Sequence, residues 1–156
     1  MLVGVLADSH DRLTKLDAAL ELFRRRRVEH ILHAGDFVAP FAVKRILACG
    51  IPFTGVFGNN DGETAGLERL APSIFPEPHA LELGGRRIIL VHDLANLPPQ
   101  RRKGADAIVF GHTHEPHLDP GPPLLLNPGE CCGWVNNRPT VALLDLATLE
   151  ATILDL

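Results

Sequence analysis

The sequence predicts a mixed α/β protein in which two β-sheets pack against each other. In the first half, short apolar runs typical of buried strands alternate with segments whose apolar residues recur at helical spacing. In the second half, short strands follow one another and are joined by turn residues. The first pattern favours a parallel sheet with right-handed crossovers, and the second is accommodated better by a second packed sheet than by a single layer.

The first half is predicted to run in the order strand, helix, strand, helix, strand. The second helix has Pro40 in its first turn and Gly50 directly after its end, and these residue types commonly begin and close helices. The five predicted elements cover residues 2–7, 13–25, 30–34, 40–49 and 51–57.

The second half is predicted to be rich in hairpins and loops. Gly84 and Gly85 separate two short strand-like runs, which indicates a β-hairpin. Proline-rich segments at 72–78, 98–99 and 116–128 are predicted to be loops, apart from one short strand within the last. The predicted strands cover residues 80–83, 86–91, 107–110, 124–126, 140–145 and 151–154. Because no repeat or linker interrupts the chain, its 156 residues predict a single domain.

The composition excludes several classes of protein. With 46% hydrophobic and 22% charged residues, the chain matches soluble globular domains and not disordered or membrane proteins. No apolar run approaches the roughly 20 residues that a membrane span needs, and segment 1–7 lacks the charged start of a signal peptide. Three cysteines without regular spacing favour a cytoplasmic location. A net charge of −4, one tryptophan and no tyrosine argue against a dedicated nucleic-acid surface.

Five predicted strands are each followed directly by side chains of the kinds that bind metal ions. Because the carboxyl ends of parallel strands meet at one edge of a sheet, we expect these side chains to converge. Carboxylates and imidazoles together suit Mn²⁺, Fe, Zn²⁺ or Ni²⁺. Each motif is weak alone, and the joint occurrence of all five predicts a metal site. The motifs are Asp8-Ser9-His10, Gly35-Asp36, Gly58-Asn59-Asn60-Asp61, His92-Asp93 and Gly111-His112-Thr113-His114.

Taken in order, these motifs resemble those of the calcineurin-like metallophosphoesterase superfamily. The short length, the hairpin-rich second half and Asn127-Pro128-Gly129 are similar to its small bacterial and archaeal phosphodiesterase branch. The resemblance extends from residue 2 to about residue 129 and implies the metallophosphoesterase-like fold, a four-layer α/β/β/α sandwich of two mixed sheets.

The resemblance also implies a binuclear metal centre, with two divalent transition-metal ions and Asp36 bridging them. Mn²⁺ is the favoured ion, and Ni²⁺, Fe or Zn²⁺ are alternatives. A bridging carboxylate offsets the repulsion between two cations, and a hydroxide shared by both ions would attack phosphorus. The implied ligands are Asp8, His10, Asp36 and His114 for the first ion, and Asp36, Asn59, His92 and His112 for the second.

Three positions beside the ligands carry further predictions. Asn60 stands where many members of the superfamily have a histidine, and its amide can donate to a phosphoryl oxygen but cannot supply a proton. It therefore favours cleavage of activated diesters. Asp61 is expected to orient the ring of His10 or His112. Asp93 either accepts a hydrogen bond beside the second ion or caps the turn that follows it. The predicted catalytic residues are Asp36, Asn60 and Asp61.

Several polar residues near these motifs have structural interpretations as well. His33 is predicted to be a core histidine, and Ser9 to bond the backbone more readily than a phosphate. Cys131-Cys132 is predicted to pack beneath Trp134, and Asn127 to support the site through hydrogen bonds.

The predicted activity is hydrolysis of a small-molecule phosphodiester, with nucleotides among the candidate substrates. Alternatives are a phosphomonoesterase, a dinucleoside polyphosphate hydrolase, or a non-catalytic metal-binding scaffold such as the retromer subunit that resembles this fold. The enzyme is favoured because all seven implied ligand positions hold the expected residue types. No membrane partner is expected. A homo-oligomer is left open, since the small branch includes dimers and tetramers.

Overall fold

Eleven strands, three α-helices and two short 3₁₀-helices form two mixed sheets, in a computed structural model that describes residues 1–156. The helices are α1 (Leu13–Arg25), α2 (Pro40–Ala48) and α3 (Thr64–Leu70), and the 3₁₀-helices are Leu94–Asn96 and Pro99–Arg102. The strands are β1 (Leu2–Leu6), β2 (His30–His33), β3 (Phe53–Val56), β4 (Ile74–Phe75), β5 (His79–Leu83), β6 (Arg86–Leu90), β7 (Ala107–Val109), β8 (Pro116–Asp119), β9 (Leu124–Pro128), β10 (Thr140–Asp145) and β11 (Glu150–Asp155).

Both sheets combine parallel and antiparallel strands. The first sheet has the order β11-β10-β1-β2-β3-β4, in which β1 to β4 are parallel and β10 pairs antiparallel with β1. The second has the order β5-β6-β7-β9-β8, in which β6, β7 and β9 are parallel. The prediction of a mixed α/β fold with two mixed sheets is therefore confirmed.

Apolar side chains on the facing surfaces of the sheets form one core, and the helices bury a second. Val3, Val5 and Leu32 of the first sheet pack with Ile88 and Val109 of the second. On the outer face of the first sheet, Leu16, Leu20 and Phe23 of α1 enter a core with residues of α2 and α3. A 13-residue amphipathic helix of this kind owes its stability chiefly to burial of its apolar face.

The fourth layer of the sandwich is reduced to 3₁₀ structure. On the outer face of the second sheet, Ile89, Val91, Ile108 and Phe110 are covered by Leu97, which lies between the two 3₁₀-helices. No helix of the protein is both long and apolar enough to cross a bilayer.

Three elements depart from the sequence prediction. The segment 116–128, predicted to be mostly loop, contains β8 and the whole of β9, and the predicted loop at 72–78 contains β4. Helix α3 was not predicted. These elements give little periodic signal, because β8 is almost entirely exposed at a sheet edge, β4 has two residues and α3 buries only Leu67.

Candidate metal centre

The five predicted motifs lie together where the carboxyl ends of β1, β2, β3, β6 and β7 meet. Backbone hydrogen bonds hold the loops to one another. The amide of Asp8 donates to the carbonyl of Gly35 at 3.0 Å, and the amide of His10 donates to the carbonyl of Asp36 at 3.1 Å. The amide of His112 donates to Asp8 Oδ2 at 3.1 Å, which ties the loop after β7 to the loop after β1. The convergence predicted from sheet topology is therefore present.

Five of the seven predicted ligands have left-handed backbone conformations. The φ angles of these residues are 51° for Asp8, 39° for His10, 61° for Asp36, 70° for His112 and 62° for His114. Such conformations are uncommon in residues other than glycine and concentrate at functional sites, where surrounding structure sustains their cost.

The seven side chains form two groups that share Asp36. In the first, His10 Nε2 lies 3.3 Å from Asp36 Oδ2, and His114 Nε2 lies 3.6 Å from Asp8 Oδ1. In the second, Asn59 Oδ1 lies 2.9 Å from His92 Nε2 and 3.0 Å from His112 Nδ1. His92 Nε2 is 3.6 Å from Asp36 Oδ2. Asp36 is thus the one residue that contacts both groups.

The potential ligand atoms of both groups suit bound cations, because their lone pairs face one another and not hydrogen-bond donors. His92 Nδ1 is 2.8 Å from the carbonyl oxygen of Ala34, which can only accept, so the neutral ring carries its hydrogen there and its lone pair on Nε2. That lone pair faces the oxygen of Asn59, another acceptor. Asp8 Oδ1 and His10 Nε2 are buried without any hydrogen-bond partner. A cation bound among these atoms would be coordinated by the lone pairs that now face one another.

The electrostatics of the site also favour bound cations. Burial raises the pKa of Asp8 to about 7, against the opposing effects of His92 and His114. Burial lowers the pKa of His10, which keeps its imidazole neutral, and the neutral ring is the form that binds metal. A buried carboxylate without a counter-charge is costly, and a divalent ion would offset that cost.

Asp61 supports the backbone instead of an imidazole, and here the prediction was wrong. Its carboxylate accepts hydrogen bonds from the amides of Asp36 at 3.0 Å, Gly58 at 2.8 Å and Val38 at 2.6 Å. It makes no hydrogen bond to the ring of either His10 or His112. Asp61 therefore fixes the left-handed loop that presents the shared carboxylate.

Asn60 lies directly on that shared carboxylate. Its backbone amide donates to Asp36 Oδ1 at 2.9 Å, and its side-chain amide donates to Asp36 Oδ2 at 2.7 Å. The predicted hydrogen bond from Asn60 to a phosphoryl oxygen stays a prediction, and in this structure the amide stabilises the charge of Asp36.

The residues around the ligands take mostly structural positions. His33 is buried and stacks on Phe37, and its Nε2 lies 3.0 Å from Ser9 Oγ, as expected of a core histidine. Of the two alternatives for Asp93, the structure shows the cap, because its Oδ1 accepts from the amide of Ala95 at 2.9 Å, whereas its Oδ2 lies 3.9 Å from His112 Nε2, beyond hydrogen-bond distance. The predicted supporting role of Asn127 is realised by side-chain donation to the carbonyl of Gly111 at 2.9 Å and to Thr113 Oγ1 at 3.0 Å.

Glu130 is a central residue of the site that the sequence analysis missed. This buried carboxylate lies 2.9 Å from His114 Nδ1 and accepts from the amides of Trp134, Val135 and Asn136. Burial pushes its pKa upward, but these hydrogen bonds outweigh burial and lower the pKa to about 2. Because the carboxylate accepts the Nδ1 hydrogen, His114 Nε2 is left with its lone pair toward Asp8. The only sequence signal is its position after the Asn-Pro-Gly turn.

Cys131 and Cys132 are buried, and their predicted packing beneath Trp134 stays a prediction. The indole is 62% exposed, and it contacts Arg12. The thiol of Cys132 donates to Glu130 Oε2 at 3.2 Å, and burial raises its pKa to about 12. Although its sulfur lies near the ring nitrogens of His10 and His114, the thiol is protonated at neutral pH.

The glycines that precede the ligands pack against ligands of neighbouring loops. A Cβ on Gly35 would lie 2.6 Å from His92 Nδ1, and one on Gly111 would lie 2.8 Å from Asp8 Oδ2. A Cβ on Gly58 would lie 2.6 Å from the backbone nitrogen of Asp36 and closer still to its carboxylate. These glycines therefore make room for the side chains of neighbouring loops.

Gly58→Ala is therefore expected to lower both stability and metal affinity. Overpacking against a fixed backbone costs about 1–3 kcal/mol, and here the clash also displaces Asp36. The matched control is Gly62→Ala on the same loop, where an added Cβ meets nothing within 4 Å. Thermal unfolding with and without Mn²⁺ is the measurement. Equal melting temperatures for the two variants would contradict the close packing of Gly58 on Asp36.

Two packed sheets with Asp, Asn and His side chains gathered at their strand ends define a metallophosphoesterase. A family model, the calcineurin-like phosphoesterase superfamily domain, matches residues 1–149, and the chain belongs to this superfamily. The resemblance drawn from the sequence is thereby confirmed, as is the prediction of an enzyme of the phosphoesterase class.

Individual relatives agree with this assignment. The phosphodiesterase MJ0936 of Methanocaldococcus jannaschii is 32% identical over 159 aligned residues, which cover 96% of each chain. The solved structure of an archaeal phosphodiesterase superposes over the whole of both chains with a TM-score of 0.90 at 29% identity. Vps29 of Entamoeba histolytica, at 21% identity and a TM-score of 0.71 over 100% of this chain and 99% of its own, shares the fold.

Proposed function

We propose that the protein is a phosphodiesterase that holds two divalent transition-metal ions and hydrolyses small phosphodiesters. The observation that carries the proposal is the pair of acceptor groups that share Asp36, with buried lone pairs that lack any donor. The similarity to a phosphodiesterase over 96% of both chains supports it. Mn²⁺ is the favoured ion because the ligands are carboxylate, amide oxygen and imidazole, without thiolate.

The seven residues would form two sets of ligands, one for each ion. Asp8, His10, Asp36 and His114 would hold one ion, and Asp36, Asn59, His92 and His112 would hold the other. Two such ions, when bound, lower the pKa of water and offset the charge of a phosphoryl group, which supplies a nucleophile at neutral pH. Ala34 and Glu130 fix the hydrogens of His92 and His114 on Nδ1, so that both Nε2 atoms face the site.

The side chains within the site favour substrates with good leaving groups. Asn60, where many members of the superfamily have histidine, cannot give a proton to the departing oxygen. His33, which could, is buried against Ser9 and Phe37. Without a placed general acid, cleavage depends on the stability of the leaving oxyanion, so activated diesters should react faster than alkyl esters.

The test compares bis-p-nitrophenyl phosphate with p-nitrophenyl phosphate, each with Mn²⁺, with Ni²⁺ and with EDTA. We expect diester hydrolysis that requires metal, exceeds monoester hydrolysis and disappears in EDTA. Faster monoester turnover would favour a phosphomonoesterase. No turnover of either ester while metal is bound would contradict the proposal and favour a binding scaffold. Dinucleoside polyphosphates form a third substrate class for the same assay.

Location and assembly remain predictions. We propose a cytoplasmic location, which the three free cysteines support. A homo-oligomer can be tested by sedimentation of the metal-loaded protein.

A further inference from the structure

Trp134 is the only tryptophan of the chain and one of its most exposed apolar residues. Its side chain is 62% exposed, and the neighbouring Val135 is 67% exposed. Both lie in the loop that follows the buried pair Cys131 and Cys132. Covering so large an apolar surface is favourable, and tryptophan is enriched where proteins bind partners.

One face of the indole is already covered and the ring is held in place. The guanidinium of Arg12 lies 4.5 Å from the ring centroid. Arg12 is itself fixed, because its Nη1 donates to the carbonyl oxygens of Cys132 at 2.6 Å and Gly133 at 3.4 Å. A ring held on one face loses little conformational freedom when a ligand covers the other.

The loop that carries the indole borders the first group of metal ligands. The backbone amide of Trp134 and His114 Nδ1 are each 2.9 Å from the same oxygen of Glu130. The side chain of Asn136, two residues further on, donates to the carbonyl oxygen of His114 at 2.9 Å. One oxygen of Glu130 thus joins the backbone of Trp134 to the ring of His114, and these contacts hold the loop against the first group of metal ligands.

We propose that Trp134 is a stacking platform for the base of a nucleotide substrate. The proposal rests on the proposed function, because a phosphate bound at the metal centre would direct its ester substituent over this rim. A flat aromatic face stacks on any base, and one ring accommodates one base. The substrate is then a diester of mononucleotide size. A second copy of the protein is a poorer occupant. A stable interface buries roughly 800 Å² on each partner, and the exposed surface of the Trp134 and Val135 side chains is far smaller than that.

Binding can be tested without turnover, because Trp134 is the only indole and the chain has no tyrosine. AMP and ribose 5-phosphate, which differ only in the base, are titrated into the Mn²⁺-loaded protein. We expect AMP to quench the fluorescence and, by calorimetry, to bind about tenfold more tightly. Equal affinity for the two ligands would overturn the platform. Fluorescence that changes with protein concentration but not with AMP would show that a second copy covers the ring.

Turnover gives an independent test with two diesters that share a leaving group. In Trp134→Ala, the KM of thymidine 5′-(p-nitrophenyl phosphate) should rise about tenfold, while the KM and kcat of methyl p-nitrophenyl phosphate stay within about twofold. Trp134→Phe should retain part of the effect. Equal KM changes for both diesters would refute stacking. If wild type cleaves neither diester, the phosphodiesterase assignment fails, and the AMP titration still decides whether a base binds Trp134.

Discussion

Asp36→Asn is expected to reduce metal-dependent diester hydrolysis by at least about 10²–10³-fold, the scale seen when one charge-stabilising group is removed from an active site. Asp36 is the carboxylate that both ligand groups share, at 3.3 Å from His10 Nε2 and 3.6 Å from His92 Nε2. Asparagine keeps the shape but removes the charge that would lie between two cations. Its amide would also place hydrogens toward the Asn60 side chain, which already donates to this position.

The folded protein should survive this change. Asp61 holds the loop through backbone amides, which the substitution leaves in place. The negative charge of Asp36 contributes to the raised pKa values of Asp8 and Asp61, so its removal relieves repulsion in the metal-free state.

The measurements are metal content after dialysis, hydrolysis of bis-p-nitrophenyl phosphate, and melting temperature in Mn²⁺ and in EDTA. Asp36→Asn should melt close to wild type in EDTA, because the lost hydrogen bond from Asn60 and the relieved repulsion act in opposite directions, and it should lose the stabilisation that Mn²⁺ provides. Asp17→Asn makes the same chemical change on the exposed face of α1 and should behave like wild type. Wild-type turnover in Asp36→Asn would exclude a bridging role for this carboxylate.

The predictable parts of the fold are those in which local pattern and burial agree. Helix α1 was predicted with its observed bounds, because Leu16, Leu20 and Phe23 mark one buried face. The strand β10 was also predicted with its observed bounds, since its residues are mostly apolar and buried. By contrast, β8 exposes His117 and Leu118 at the sheet edge, and its pairing with β9 follows from tertiary contact that no short window contains.

The same distinction applies to the metal centre. The convergence of the seven side chains could be predicted because each follows an apolar strand, and the topology of a parallel sheet brings strand ends together. The supporting carboxylates could not. Asp61 acts on backbone amides of a loop 25 residues earlier, and Glu130 acts on a ring 16 residues earlier. A side chain that serves the backbone leaves no spacing rule in the sequence, which is why Asp61 was assigned to an imidazole.

Glu130→Gln is expected to lower metal affinity about 10–100-fold, as removal of a group that orients a ligand commonly does. The carboxylate fixes the hydrogen of His114 on Nδ1, and both of its oxygens accept from other donors. Glutamine has one oxygen in place of two. In one orientation of the amide, its NH₂ group faces the backbone hydrogens of Val135 and Asn136. In the other, it faces the Nδ1 hydrogen of His114.

The same change should also destabilise the metal-free protein, because buried donors lose a charged acceptor. Removing one partner of a charged hydrogen bond costs about 1.5–3 kcal/mol, and Glu130 receives several such bonds. The matched control is Glu115→Gln, which alters an exposed carboxylate one residue from His114 that makes no side-chain hydrogen bond. Mn²⁺ titration calorimetry and urea unfolding in EDTA measure the two effects. Loss of stability with unchanged Mn²⁺ affinity would mean that Glu130 only holds the 134–136 loop. Loss of both would establish that this one buried carboxylate couples the proposed metal ligand His114 to the loop that carries Trp134.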